Sequence, residues 1–403
     1  MSTRPPEFFV HLLRDKWPLA IPVLLAAIWI GGRPDGAPQK LANMGYARLW
    51  EADAGAAGAA IPLFREALAG DTAFPYRWTD LGATLAEAGQ IKEAEYCFER
   101  AVKLGPGAPQ VLVRASNFHF MRGNTDTALR LGSAALRAAP EFDDMIFANY
   151  WRLGGALDHV WAVGIGNQRR AATAFFRYLV GHGDESALSF SWASLERLGF
   201  AGDPDARIWA QWLLEHHRPG PAASVWKAYS ASEPGSYRDT NWLDNPSFES
   251  EWKPGGFDWS VLPFPGIRTT MDNRVSHTGQ RSARLDFVAA DFDGMANQDF
   301  HHLGQPVVLV PGRYELSAWV RTSALTTDEG VGVRLVDPST NTVFGVTRKV
   351  RGTADWTHVS VLFTVPAPAG QLRAEIVRMK SLSFVNRPNG TAWVDDLVLV
   401  PSR

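Results

Sequence analysis

The stretch YRWTDLGATLAEAGQIKEAEYCFERAVKLGP, residues 76–106, decides the fold of the first half of the chain. Its apolar residues follow the spacing of two antiparallel helices, and Pro106 stops the second of them. Small residues at Gly82 and Ala94 let the two helices approach closely. The stretch therefore predicts a helical hairpin. The residues on its facing stripes are Leu81, Leu85, Ala94, Phe98 and Ala101.

A shift of thirty-four residues in either direction finds the same pattern, which predicts three consecutive repeats at 41–74, 75–108 and 109–142. These repeats resemble the tetratricopeptide repeat position by position. Beyond them, less regular helical pairs extend the predicted helical domain to residues 33–232. The resemblance implies an α-solenoid whose concave groove binds a peptide or a protein partner.

Aromatic and basic residues that suit such a groove are Phe118, Arg122, Trp151 and Arg152. The alternative is that these side chains pack between helices. Cys97 is the only cysteine, so the chain forms no intramolecular disulfide, and its place beside Phe98 indicates a small core residue.

The overall charge argues against nucleic acid as a partner. Forty basic and forty-two acidic residues leave a formal charge of −2, and no long basic run is present. A chain of 403 residues is also too long for one core of ordinary size, so two or more domains are expected.

The apolar run WPLAIPVLLAAIWI, with the glycines that follow it, predicts a transmembrane or signal-anchor segment at residues 17–32. Residues 1–16 would then be a cytoplasmic tail. A cleaved signal peptide and a buried or interfacial helix are the alternatives. The anchor predicts a single-pass membrane protein, and the family resemblances of the chain imply the bacterial inner membrane, with most of the chain outside the cytoplasm.

After a linker at residues 233–240, helical spacing gives way to alternation and β-branched residues over 241–403. The chain is therefore expected to be multidomain, α then β. The clearest strand candidates lie at 312–322, 330–338, 356–366, 371–379 and 391–400, with weaker ones at 282–290 and 344–350.

The motifs NPSFE, HTGQRSARLDF, LVPGRYELSAWVRT and AWVDDLVLV resemble the carbohydrate-binding modules of families 4 and 9, which are galactose-binding-like jelly rolls. The resemblance implies a β-sandwich that binds a glycan. It also implies a structural Ca²⁺ held by Glu249 with Asp395 or Asp396. The alternative is an ion pair from Glu249 to Arg281 or Arg284.

Alternation along the strands predicts a sugar-binding patch on one sheet face. An indole offers an apolar platform, and guanidinium and carboxylate groups hydrogen-bond hydroxyls. An ordinary solvated face, or a face docked on the helices, is the alternative. The predicted patch consists of Trp319, Arg321, Arg334, Arg373 and Glu375.

No P-loop, dinucleotide-binding fingerprint or nucleophile elbow occurs in the sequence, so a non-enzymatic protein is expected. The resemblances imply an adaptor that binds a protein partner and a glycan, in the assembly or export of bacterial exopolysaccharide or cell-surface polysaccharide. A structural scaffold without sugar binding is the main alternative, and a carbohydrate-active enzyme is the next.

Overall fold

Ten α-helices make up the described part of the first half of the chain in a computed structural model of the protein. The structure describes residues 36–50, 55–231, 237–253, 255–288, 299–366, 370–382 and 388–402. The ten helices are α1 Ala37–Trp50, α2 Ala56–Ala69, α3 Pro75–Glu87, α4 Ile91–Leu104, α5 Pro109–Met121, α6 Thr125–Ala138, α7 Asp143–Arg152, α8 Leu157–His159, α9 Arg169–His182 and α10 Glu185–Arg197.

The predicted tail and membrane anchor, residues 1–16 and 17–32, lie outside the described residues. Within the described ranges, no helix combines the length and the apolar character that a membrane crossing needs.

The helices keep the period of the sequence. Helices α3 and α5 begin at Pro75 and Pro109, and α7 begins at Asp143, again thirty-four residues on. Proline suits these first positions because its missing N–H is not needed there. After α8 the period is broken by a π-helix, Val160–Ile165. The first half is therefore a helical repeat array.

Small residues set the distance between paired helices, as the sequence predicted. A Cβ added to Gly82 would lie 3.1 Å from the Cβ of Cys97 and 3.2 Å from the Phe98 ring. Cys97 is buried in this contact. Burial, followed by the Glu93 carboxylate, raises the pKa of its thiol to about 11, so it is an unreactive core residue.

A buried polar ladder joins three successive repeats at equivalent positions. Arg114 Nη1 donates to Asp80 Oδ1 at 2.6 Å, and the Tyr46 hydroxyl donates to the same oxygen. Arg114 also donates to Thr79 Oγ1 at 2.8 Å. All four residues are buried, so the carboxylate of Asp80 balances the charge of Arg114 inside the array.

The described residues of the second half form ten strands in two five-stranded antiparallel sheets. The first sheet has the order β1-β4-β9-β6-β7 and the second β2-β3-β10-β5-β8. The strands are β1 Ser260–Val261, β2 Ile267–Asp272, β3 Ser282–Phe287, β4 Phe300–Val308, β5 Gly312–Leu325, β6 Gly332–Asp337, β7 Thr342–Val346, β8 Gly352–Val365, β9 Gln371–Arg378 and β10 Gly390–Pro401. The expected order of a helical array and then a β-sandwich is therefore present.

The segment that enters the sandwich is fastened to its last strand. The Asn241 side chain accepts from Leu399 N at 3.0 Å and donates to Leu397 O at 2.8 Å. Trp242 N donates to Leu399 O at 3.0 Å. Phe248 is fully buried in the core between the sheets. The entry segment thus closes one side of the sandwich.

The chain divides into two compact units at Phe200 and Ala201. The last helical pair, α11 Asp203–Glu215 and α12 Pro219–Tyr229, lies in the second unit, whereas its helical pattern predicted that it extends the repeat domain. The physical reason is its apolar contact with the entry loop, where Trp226 packs on Phe257 with ring centroids 5.8 Å apart.

The side chain of Arg207 in α11 links this helical pair to the entry loop. Its guanidinium lies 4.6 Å from the Trp226 ring, donates to Ser230 O at 3.1 Å and contacts Asp258 Oδ2 at 3.3 Å. Gln211 accepts from Gly256 N at 2.9 Å. The pair is therefore bound to the β-sandwich by packing, a cation–π contact and hydrogen bonds.

Candidate functional site

The five residues of the predicted sugar patch lie in different sheets. Trp319 and Arg321 are in β5 of the second sheet. Arg334 is in β6, and Arg373 and Glu375 are in β9, both strands of the first sheet. Their strand neighbours Val320, Leu335 and Ala374 share the core between the sheets, so the two groups face outward on opposite sides. The expected single patch is not formed.

A buried carboxylate organises the outer face of the first sheet. Glu375 is only 3% exposed and sits between two guanidinium groups. Arg334 Nε donates to Glu375 Oε2 at 2.8 Å, and Arg373 Nε lies 3.2 Å from Oε1. His301 Nδ1 is 3.6 Å from the same Oε1. We call these four residues, Arg334, Arg373, Glu375 and His301, the Glu375 cluster.

The sheet positions each member of the cluster. Strand β9 pairs with β6 so that Arg334 stands beside Glu375, and it pairs with β4 so that Gly304 stands on the other side. A Cβ at Gly304 would lie 3.0 Å from Arg373 Nε, so glycine leaves room for the guanidinium. Ser260 of β1 accepts from Arg373 Nη2 at 2.8 Å and fixes its orientation.

Electrostatics keep Glu375 ionised. Burial acts to raise its pKa, but contacts with His301 and Arg334 outweigh burial and hold the pKa below its ordinary value. Burial also lowers the pKa of Arg373, against the pull of Glu375. The cluster therefore presents a fixed array of charged, planar hydrogen-bonding groups on a sheet face.

Trp319 belongs to an aromatic group on the other sheet. His277 stacks on its indole with ring centroids 3.9 Å apart and a 15° angle between the planes. His358 lies 5.3 Å away by the same measure, and Trp356 is 5.5 Å from His277. One face of the indole is thus covered by His277, which a sugar would have to displace. Arg321 lies beside Asp355 at 3.7 Å.

The three predicted calcium ligands all hold one loop, residues 275–281. Glu249 Oε1 accepts from Gln280 N at 2.8 Å and from Arg281 N at 3.0 Å. Asp395 Oδ2 accepts from His277 N at 2.7 Å. Asp396 Oδ1 accepts from the Ser247 and Thr278 hydroxyls, each at 2.7 Å. The carboxylates are hard oxygen donors, yet each already has N–H or O–H partners.

No group of three acidic, histidine or cysteine side chains within the described ranges is placed to hold a metal ion. Burial, and then the neighbouring Asp396 carboxylate, raise the pKa of Asp395 to about 7. Among the described residues, Glu249 makes no ion pair with Arg281 or Arg284, because the Arg281 side chain meets Glu251 at 2.6 Å and Arg284 meets Asp286 at 2.9 Å.

The predicted groove residues of the helical unit have different environments. Phe118 is 2% exposed and stacks on Phe98 with centroids 4.7 Å apart. It therefore packs between helices and does not line a groove, which corrects that expectation. Arg122 and Arg152 are exposed, and Trp151 is half-buried.

Two functional candidates, His301 and Ser260, were missed by sequence reasoning. His301 is one of two adjacent histidines, and Ser260 lies in a two-residue strand that is too short to show alternation. Alternation gives no signal for His301, because a two-residue period would place it on the same face as buried Leu303. A register shift between Phe300 and Leu303 leaves His301 exposed instead.

Comparisons with known proteins bear on the fold only. No family model matches the chain, and no curated protein matches it. Solved structures with similar parts include a family 61 carbohydrate-binding module in complex with β-1,4-galactotriose, at 20% identity and a TM-score of 0.27, covering 40% of this chain and 99% of that one. A family 4 carbohydrate-binding module has 16% identity and a TM-score of 0.30, with the same coverage of 40% and 99%.

The helical part also has a similar solved structure, YrrB, a tetratricopeptide repeat protein with an unusual peptide-binding site. It shows 16% identity and a TM-score of 0.23, covering 40% of this chain and 88% of that one. Because all three TM-scores are below 0.5, we draw function only from the contacts of this chain's own residues.

Proposed function

We propose that the second unit binds a glycan at the Glu375 cluster, on the outer face of the β1-β4-β9-β6-β7 sheet. The observation that carries the proposal is the fixed orientation of two guanidinium groups around one buried carboxylate. Sugars are recognised by their hydroxyls, which need planar donors and acceptors held in place before binding. The imidazole of His301, whose side chain is 45% exposed, adds a further polar group to this face.

Binding is tested with the full chain by glycan-array screening and affinity-gel electrophoresis. We expect Glu375→Gln to weaken glycan binding by roughly tenfold to a hundredfold, because charge-assisted hydrogen bonds contribute about 1.5–3 kcal/mol. Trp319→Ala, on the opposite sheet, is the matched control and should bind normally. Thermal melting of both variants checks that they fold.

Absence of binding to any glycan, or equal losses in the two variants, would defeat the glycan proposal. The alternative, a structural scaffold without sugar binding, is favoured by one observation: His277 already covers the Trp319 platform that the sequence predicted for a sugar. Under that alternative, glycan-array screening detects no bound glycan, for the unaltered chain or for either variant.

The wider role we propose is a non-enzymatic adaptor, anchored in the bacterial inner membrane by residues 17–32, with the bulk of the chain outside the cytoplasm. Its helical repeats would bind a protein partner in exopolysaccharide or surface-polysaccharide assembly or export. The helical repeat array supports the proposal of a protein partner, because stacked helix pairs leave one extended surface open. The apolar run of the sequence supports the anchor.

Two experiments test this role. Photo-cross-linkers at exposed Arg122 and Arg152 should capture the same partner, while one at exposed Arg313 of the sandwich should not. Extraction of membranes with alkaline carbonate should leave the full chain in the membrane pellet and release a chain that lacks residues 17–32. Turnover of a polysaccharide by the purified protein would contradict the non-enzymatic role.

A further inference from the structure

The Glu375 face carries more positive than negative charge. The strands of this sheet contain two acidic residues, Glu375 and Asp337, and Asp337 is bonded to Ser339 in the turn after β6. Among the described residues of the outer face, Arg334 and Arg373 share one acidic partner, Glu375. The surplus positive charge belongs to Arg373, because Arg334 makes the shorter contact with the carboxylate.

Both guanidinium groups keep a donor for a ligand. Within the part of the chain that the structure describes, Arg334 Nη2 and Arg373 Nη1 make no hydrogen bond. The remaining nitrogens are fixed by Glu375, by Ser260 and by a 3.8 Å contact to Met379 Sδ. The two arginines are therefore oriented in advance, with N–H groups left over.

Partial burial of the two arginine side chains strengthens the interaction of their charge with a bound ligand. The side chains of Arg334 and Arg373 are 12% and 22% exposed, so water screens them less than a surface arginine. A neutral sugar bound here would cover the surplus charge without balancing it, which costs free energy. A carboxylate would balance it and would match the planar guanidinium group.

We propose that the Glu375 face takes an acidic glycan, one whose repeating unit carries a carboxylate as uronic acids do, with that carboxylate paired to Arg373. The proposal rests on the glycan-binding function proposed above and specifies its ligand class. Arg334 and His301 then contact the hydroxyls of the same or the neighbouring sugar.

The test compares uronate oligosaccharides with the same oligosaccharides after chemical reduction of their carboxyl groups to alcohols. Galacturonate, glucuronate and mannuronate tetramers serve as probes, and calorimetry with the full chain measures Kd. We expect at least one tetramer to bind roughly tenfold or more tightly than its reduced form, because one oriented ion pair contributes on that order. Higher salt should narrow the difference.

Arg373→Gln should reduce the ratio of the two Kd values to near one. Arg313→Gln is the control, since Arg313 is exposed on the other sheet and its loss removes the same charge. Equal binding of the acidic and reduced forms by the unaltered chain would overturn the acidic-ligand proposal and leave the glycan-binding function standing. Failure of both forms, and of every other glycan, would overturn both.

Discussion

Asp80 is the residue on which the polar ladder of the helical unit depends. It lies between Tyr46 and Arg114, thirty-four residues from each, and accepts from both. Burial makes Arg114 costly without a partner. Tyr46, Asp80 and Arg114 occupy the equivalent position in three consecutive repeats. The Asp80 carboxylate therefore holds these repeats in register.

Replacing Asp80 by alanine should destabilise the helical unit by about 3–5 kcal/mol, because the buried guanidinium loses its counter-charge. The control is Glu93→Ala, which removes an ion pair with Arg65 whose two side chains are 54% and 57% exposed. That change should cost less than about 1 kcal/mol. Urea unfolding followed by helical circular dichroism measures both, and similar losses would show that the ladder is not a stabilising unit.

At the scale of elements, the loop at residues 275–281 is held by carboxylates from two distant parts of the chain. Glu249 belongs to the entry segment and Asp395 to β10. Their backbone N–H partners need no metal ion, but hard oxygen ligands around one loop are also the donor set that Ca²⁺ prefers. Calcium at Glu249, Asp395 and Asp396 stays a proposal that a melting experiment decides.

Saturating Ca²⁺ should raise the melting midpoint of the second unit and a chelator should lower it. A ligand present at a hundred times its Kd stabilises by about 2.7 kcal/mol. Glu249→Gln should abolish the difference, whereas Glu251→Gln should keep it, because Glu251 is exposed and contacts Arg281 instead. An unchanged midpoint in the unaltered chain would show that hydrogen bonds alone hold the loop.

The sequence predicted which segments form strands better than it predicted which strands lie side by side. Alternation located β5, β6, β8, β9 and β10, because half-buried strands have a two-residue period. It missed β4, whose FHHLGQPVV contains a glycine and a proline. Alternation also separates the two faces of one strand, but it does not tell which sheet the strand joins. Trp319 and Arg334 were therefore placed together although β5 and β6 belong to different sheets.

Contacts between residues that are far apart in the sequence could not be predicted either. His277 comes from a loop and covers Trp319, and Ser260 orients Arg373 from 113 residues away. The Glu375 cluster was found in part, since Arg334, Arg373 and Glu375 share the outward parity of their strands. Their mutual ion pairs depend on the β6–β9 register, which the pattern of a single strand does not fix.

At the scale of the whole molecule, the helical pair α11 and α12 is a structural part of the second unit. Trp226 is fully buried, and a Cβ at Gly256 would lie 2.1 Å from its ring. So close an approach is possible only with glycine, which also has a φ of +62°. The β-sandwich alone would leave Phe257 without this partner.

We expect a fragment of residues 201–403 to unfold cooperatively, and a fragment of residues 237–403 to melt at a lower temperature. The second fragment loses the buried Trp226, and removing a buried tryptophan side chain costs about 3–5 kcal/mol. Near-ultraviolet circular dichroism during heating measures both midpoints. Identical midpoints would mean that the helical pair adds nothing to the stability of the sandwich.

The position of β10 has a consequence for how the protein is made. This strand follows the nine other described strands in sequence, yet it is the central strand of its sheet and pairs with β3 on one side and β5 on the other. Its sheet is therefore incomplete until the ribosome has released residues 390–401. The helical repeats, whose contacts are local, are able to fold during synthesis, whereas the sandwich must wait until β10 has left the ribosome. Until then β3 and β5 expose unpaired edges, so a chaperone bound before β10 emerges would protect this half of the chain.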